Sequence, residues 1–450
     1  MEKTDVLIIG GSAAGIVAAV TAKSRYVDKK VTVIRKEEKV LVPCGIPYVF
    51  GSLESSNKNV IPDAMLVNAG VELKIGEVVF IDKENKICKT SNDIEISFEK
   101  LILATGSLPV ISKQLKGITL DNVFTVQKDK EYLDKMTSKL KDYKKIVIVG
   151  GGFIGVEIAD ELQKRGKDVT IIEILPNILG LAFDKEIASR AEDLLKSRNV
   201  KIKTSIAVKE ILGDKKTTGV LLDNGEEFEA DVVILSMGYK PNTDLAQKAE
   251  IEVNKLGSIK VDEYMRTYDT DIFAVGDCAE KRDFITRKLS KVMLASTACS
   301  EARVAGMNLY NLSSVKTFSG TISIFATAFG QTGFATAGLT ETLALEEGFD
   351  IVCGSFEGMD RHPGSLSNTQ KQFVKLIVSR ESGILLGGEV VGGLGTGELI
   401  NFIGLAIQNK MTINSIIGIQ IGTHPLLTAS PPAYPFIKAA EDIIKKINNK

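Results

Sequence analysis

Two short apolar runs, each ending in a glycine-rich turn and followed by a helix-like stretch, predict an α/β fold containing two Rossmann-like units. Near residue 316 the texture changes from near-continuous apolar runs to alternating ones, which predicts a separate α+β unit beyond it. The chain has 450 residues, enough for about three domains at roughly 150 residues each.

Composition narrows the class. Apolar residues make up 44% and charged residues 25%, ordinary for a soluble protein with several cores. The formal net charge of −1 argues against a nucleic-acid role driven by bulk charge. No apolar run approaches the roughly 18 residues needed to cross a bilayer, so no membrane association is expected. The start, MEKTDVLIIGG, lacks a basic leader and a cleavage site, and no signal peptide is expected. The five cysteines (Cys44, Cys88, Cys278, Cys299 and Cys353) are dispersed, odd in number and form no CxxC pair. That pattern disfavours a disulfide scaffold or a zinc site and fits a reducing cytoplasm. With only two histidines, His362 and His424, no metal site is expected.

In chain order, residues 5–9 (DVLII) read as a buried parallel strand. The turn Gly10-Gly11-Ser12-Ala13-Ala14-Gly15 follows, with Ser12 where a second glycine is usual, and then the helix IVAAVTAK. Such a turn aims backbone N–H groups and a helix N-terminus at a diphosphate. The next strand, VTVIR, ends in Arg35 where a ribose-binding acid is expected, and Lys36 and Glu37 follow. Two alternatives stay open there: Glu37 takes the ribose, or Arg35 stacks on or flanks an adenine. Residues 101–109, LILATGSLP, form another strand ending at Thr105-Gly106. The run KIVIV then leads into Gly150-Gly151-Gly152-Phe153-Ile154-Gly155, a complete G-x-G-x-x-G, followed by the helix VEIADELQKRG. The strand DVTIIE places Glu173 at its end, 23 residues (173 − 150) past the first glycine. Strand, glycines, helix, strand and acid in register form a dinucleotide fingerprint, and Glu173 favours a free 2′-hydroxyl, NADH over NADPH. Later, ADVVILSMG closes on Gly238 before Tyr239-Lys240-Pro241-Asn242, and DIFAVGDCAE presents Gly276-Asp277 at a strand end. A carboxylate there accepts hydrogen bonds from sugar-alcohol hydroxyls, or caps a turn. Beyond residue 316, TISIFAT, QFVKLIVS and LLGGEVVGG suggest an antiparallel sheet, and GELINFIGLAIQNK and AYPFIKAAEDIIKKINNK suggest helices.

The two glycine loops together with LILATGSLP, MGYKPN and DIFAVGDCAE resemble the flavin-dependent pyridine nucleotide–disulfide oxidoreductase family over essentially the whole chain. The resemblance implies a discontinuous FAD domain (residues 1–110 and 246–315), an NAD(P)H domain (111–245) and a C-terminal dimerisation domain (316–450). It implies FAD on Gly10, Gly11, Ser12, Ala13, Ala14, Gly15, Arg35, Lys36, Glu37, Pro43, Thr105, Gly106, Gly276 and Asp277. It implies NADH, with NADPH as the alternative, on Gly150, Gly152, Phe153, Ile154, Gly155, Glu173 and Gly238. A homodimer is expected on the same ground.

The segment KVLVPCGIPYVFG, Lys39–Gly51, holds Cys44, and the next cysteine is Cys88. A two-thiol active-site disulfide within this stretch is therefore excluded. The resemblance narrows to the single-cysteine branch: coenzyme A-disulfide, persulfide or polysulfide reductases, NADH oxidases and peroxidases. Cys44-Gly45-Ile46-Pro47-Tyr48 is similar to the CG-x-PY form of the coenzyme A-disulfide reductases, and Ala13 stands where peroxidases carry histidine. Both features favour a sulfur substrate. Cys44 is the expected redox nucleophile, with a thiol pKa lowered by a helix N-terminus and a flavin. His424-Pro425 resembles the His-Pro of two-cysteine relatives, where the partner subunit supplies an acid–base histidine, and Tyr434 is the competing candidate acid. His362 and the other four cysteines are expected to be structural. No appended sulfur-transferase domain is expected after the last helix. The leading expectation is therefore an NAD(P)H-, FAD-dependent enzyme that reduces a disulfide, persulfide or polysulfide through Cys44. The alternatives are an NADH oxidase using oxygen and a non-enzymatic redox-signalling flavoprotein.

Overall fold

The computed structural model describes residues 1–112, 114–312 and 317–449. The boundary expected at 315/316 lies outside the described residues. Three five-stranded sheets organise the chain.

The first sheet is parallel, in the spatial order Ile272–Ala274, Lys100–Leu103, Val6–Ile9, Val31–Arg35, Glu72–Ile75. Every residue of Val6–Ile9 and Val31–Arg35 is buried. Parallel strands covered on both faces need such unbroken apolar runs. One face is covered by the helix Ala13–Arg25, which packs on Ala295–Met307 through small residues such as Ala18 and Gly306. Each fully buried aliphatic side chain in this core contributes about 1.5–3 kcal/mol.

The second sheet is also parallel, in the order Val123–Thr125, Val232–Leu235, Lys145–Val149, Asp168–Ile172, Lys201–Lys203. The helix Phe153–Lys164 rises from its glycine turn. The chain passes from the first unit to the second at Ser107–Pro109 and returns at Tyr239–Pro241, and these two segments pair antiparallel as a ribbon. The first sheet is thus completed only by Ile272–Ala274, after the second has been traversed.

The third sheet is antiparallel: Phe325–Phe329, Thr332–Gly338, Leu385–Gly392, Lys371–Ser379, Ile351–Met359. Thr396–Gln408 and Pro435–Asn448 pack on it around Ile403, Phe436 and Ile443. Among the described residues, no helix is long and apolar enough to cross a membrane.

Candidate active site

Both glycine turns open on one continuous cleft of about 1870 Å³. At the first turn, Gly10 has φ +112°, and a Cβ there would overlap the Ala104 carbonyl oxygen. A Cβ on Gly15 would overlap the Gly10 carbonyl oxygen, so this glycine lets the helix sit tight on the strand. Gly10, Gly11, Ser12, Ala13 and Ala14 line the cleft. Ser12 is the N-cap of Ala13–Arg25 and makes no side-chain cap bond, so its side chain leaves the first-turn N–H groups free for an anion.

Arg35 is buried and fully engaged. Its Nη1 and Nη2 donate to the two Asp63 carboxylate oxygens at 2.7 and 3.0 Å. Its Nε and Nη2 also donate to the Glu37 and Glu38 carbonyls at 2.8 and 2.7 Å. The guanidinium therefore shapes the turn after the strand, while its methylene stem lies against Gly11. Lys36 and Glu37 border the cleft beside it.

Cys44 sits in the short 3₁₀ turn Pro43–Gly45, with a second such turn at Pro47–Phe50. Prolines fix the start of both turns. Asn59 Nδ2 donates to the Val42 carbonyl at 3.0 Å, and its Oδ1 fills the space where a Gly45 Cβ would stand. Cys44 is exposed to the cleft, and among the described residues it is the only cysteine lining it. The protein groups around it do not by themselves supply the expected depression of its thiol pKa. Partial desolvation and the nearby Glu157, Asp277 and Cys299 push the thiol up, and Lys128 pulls it down. The 3₁₀ turn is too short to supply a compensating dipole.

The second-loop helix holds this segment. Glu161 accepts from the Ser52 N–H, and Arg165 donates to the Gly51 carbonyl at 2.6 Å. One helical turn earlier, Glu157 is half-buried and accepts from the Thr327 hydroxyl at 2.8 Å. Burial pushes its carboxyl up to about 7. Tyr48 borders the cleft, and burial with the nearby Glu157 raises its hydroxyl.

At the far wall, Gly276 has φ +77° and starts the turn that presents Asp277. Asp277 Oδ2 accepts from Ser107 Oγ at 2.7 Å and Lys128 Nζ at 2.9 Å. Burial alone would raise this carboxyl, but Lys128 and the hydrogen bonds outweigh it and hold it low. Behind the turn, Glu301 accepts from the Gly276 N–H at 2.7 Å, and Lys281 donates to the Gly276 carbonyl at 2.6 Å. Thr105 Oγ1 donates to the Asn242 carbonyl at 2.6 Å, tying the ATG segment to the returning chain. Thr105, Gly106 and Gly238 all border the cleft.

The second turn repeats the geometry of the first. Gly150 has φ +109°, and a Gly155 Cβ would overlap the Gly150 carbonyl oxygen. A Cβ on Gly152 would meet no atom within 4 Å, so the backbone faces open space there. Glu173 is held by the N–H groups of Gly151 and Leu175 at the end of its strand. Phe153 stacks on Phe325 with centroids 5.1 Å apart, and Ile154 lies beside it in the lining.

These features fit two bound dinucleotides: two strand–turn–helix cradles without side-chain bulk, each with an acid or a fixed turn at the following strand, open on one space. Among the described residues, no group of His, Cys, Asp and Glu has metal-ligating geometry.

His424 and Tyr434 are not brought to Cys44 within the chain, since neither lines the cleft. His424 is exposed on a loop, where its Nδ1 accepts from the Leu426 N–H at 3.2 Å. Tyr434 is half-buried at the N-cap of the last helix and packs on the third core. His362 hydrogen-bonds to the His424 loop. Its Nδ1 lies 3.0 Å from the Thr428 carbonyl, and its backbone N–H donates to the Pro425 carbonyl at 3.2 Å. Sequence reasoning missed Lys128, Ser107 and Glu157. Neither Glu157 nor Lys128 carried a local signal, because their partners Thr327 and Asp277 lie far along the chain.

The pyridine nucleotide-disulphide oxidoreductase family matches residues 4–302, and its dimerisation domain matches residues 324–433. An NADH oxidase of Methanocaldococcus jannaschii is 31% identical, with 99% of each chain covered. An NAD(P)H coenzyme A polysulfide/persulfide reductase of Pyrococcus horikoshii is 32% identical over 87% of this chain and 88% of its own. The structure of an NAD-dependent persulfide reductase from A. fulgidus superposes with a TM-score of 0.91 at 29% identity, covering 99% of this chain and 84% of that one. With these matches and the two-loop cleft, the chain belongs to the pyridine nucleotide-disulphide oxidoreductase family and is an FAD-dependent NAD(P)H oxidoreductase.

Proposed function

We propose that this enzyme reduces a low-molecular-weight disulfide, persulfide or polysulfide of the coenzyme A type, with Cys44 as the sole redox sulfur. The observation that carries the reading is the single exposed thiol in the cleft shared by both glycine loops. The FAD cradle is Gly10–Gly15, Glu37, Pro43, Thr105, Gly106 and Asp277, and the nicotinamide dinucleotide takes Gly150–Gly155, Glu173 and Gly238. Bound there, a flavin would supply two-electron redox chemistry between the reduced nicotinamide and sulfur.

The rest of the chemistry belongs to the chain. The Cys44 thiolate attacks one sulfur of R–S–S–R′, forming a Cys44–S–S–R bond and releasing R′S⁻. Two electrons then break the mixed disulfide, freeing RS⁻ and restoring the Cys44 thiolate. The balance is NAD(P)H + H⁺ + RSSR′ giving NAD(P)⁺ + RSH + R′SH, and a persulfide gives RSH and hydrogen sulfide. The released thiolates need an acid. Because His424 is exposed and does not line the cleft of its own chain, a second copy of the chain in a cytoplasmic homodimer is the proposed source of the acid, with Tyr434 as the other candidate.

The test is NADH consumption by FAD-loaded protein with coenzyme A disulfide, polysulfide, peroxide or oxygen as sole acceptor. Cys44→Ser is expected to cut sulfur-dependent turnover by about 100-fold or more while retaining flavin absorbance. Intact sulfur turnover in that variant would refute the role of Cys44. The second reading, an NADH oxidase, is favoured by the name of the M. jannaschii relative. It would replace the first if oxygen alone sustained full turnover and sulfur compounds added none.

A further inference from the structure

Lys128 lines the cleft shared by the two cofactor cradles. Lys128 follows the second-sheet strand Val123–Thr125, yet both of its hydrogen-bond partners belong to the other side of the cleft. Its Nζ lies 2.9 Å from Ser107 Oγ on the connecting ribbon and 2.9 Å from Asp277 Oδ2 at the end of the first unit. The ring of Tyr239, on the returning strand of the ribbon, lies 5.2 Å from the same ammonium. Serine, carboxylate and aromatic face together fix one ammonium group in the cleft.

We propose that Lys128 is a positioning residue for the sulfur step: it covers the Asp277 charge and keeps the Cys44 wall of the cleft tolerant of a thiolate. The inference rests on Cys44 being the nucleophile. The charged and titratable groups that act on Cys44 are Glu157 from the second-loop helix, Asp277 from the far turn and Cys299 from the helix Ala295–Met307, all unfavourable to a thiolate, and Lys128 opposes them. Tyr48, on the same segment as Cys44, is itself held protonated by burial and by the acidic groups Glu157, Glu161 and Asp160. Without Lys128, Asp277 would lose its salt-bridge partner, and Glu157 and Asp277 would act on the thiol more strongly.

The test reads Cys44 ionisation directly, without turnover. Wild type, Lys128→Met and Lys128→Arg are loaded with FAD, and the alkylation rate of Cys44 by iodoacetamide is followed against pH by mass spectrometry of its peptide. Lys128→Met is expected to move the profile up by about one pH unit, making alkylation about tenfold slower at pH 7, and Lys128→Arg to restore it within about twofold. If Lys128→Met loses flavin, all three are compared in flavin-stripped form. A Lys128→Met profile that superposes on wild type overturns the proposal, as does a Lys128→Arg profile displaced as far as that of Lys128→Met. Failure of the sulfur-reductase reading would appear elsewhere, in the turnover of Cys44→Ser, and would leave these profiles unchanged.

Discussion

At Glu157 burial outweighs the single hydroxyl that it accepts from Thr327, and the carboxyl is pushed up from 4.5 to about 7. The consequence has a definite sign. Between those values the folded protein keeps a proton that the unfolded chain has released, so stability falls as pH rises through that window. Glu301 behaves alike, also near 7, and Glu389 is pushed up to about 8. Glu157→Gln keeps the acceptor for Thr327 and removes the charge. Its melting temperature should match wild type near pH 5 and exceed it by a few degrees at pH 8, measured by differential scanning fluorimetry across that range. The same variant should make Cys44 more acidic, because Glu157 is one of the groups pushing that thiol up. None of this was legible from the residues around Cys44. Thr327 and Glu157 are 170 positions apart, and Lys128 and Asp277 are 149 apart, so no local pattern announces either pair.

Elements were far more legible. A strand, a positive-φ glycine and a helix are local in sequence, and the pattern that places Gly10 and Gly150 is complete within about 20 residues. The glycines are required by contact: their missing Cβ atoms would strike the Ala104 and Ser236 carbonyls. The Arg35 departure was visible, but its cause lay in Asp63, which no spacing rule links to it. The turn that presents Asp277 depends in the same way on a buried pair behind it. Lys281 and Glu301 are both essentially without solvent exposure, with Nζ and Oε1 3.5 Å apart. Lys281→Met would strand Glu301, costing about 3–5 kcal/mol where Glu301 must stay charged. Because Glu301 is near 7, it is protonated below that pH, and the cost should be larger at pH 8 than at pH 6. Urea unfolding at the two pH values measures this; equal losses at both would show that the pair carries no charge coupling.

Across the whole molecule, the second and third units are joined by a partly buried ionic cluster. Lys375 pairs with Asp184 at 2.9 Å and Glu341 at 2.7 Å, and Asp184 also accepts from the Thr342 hydroxyl and the Glu341 and Thr342 N–H groups. These bonds hold the Asp184 carboxyl down to about 2 against its burial. Lys375→Met should separate the two units thermally, giving an early transition several degrees below the wild-type melt in calorimetry, with flavin retained until the later one. A single unshifted transition would place the inter-unit stability elsewhere. The sheet topology has a further consequence, for synthesis. As the chain leaves the ribosome, Lys100–Leu103 has an open edge until Ile272–Ala274 is made. At about 5–20 residues per second, that edge waits on the order of ten seconds or more. The second sheet, built from one uninterrupted stretch, can finish first. The nascent protein is therefore expected to pass through a stage with its second unit folded and its first unit unsealed, during which an unpaired strand is available to chaperones or to neighbouring nascent chains.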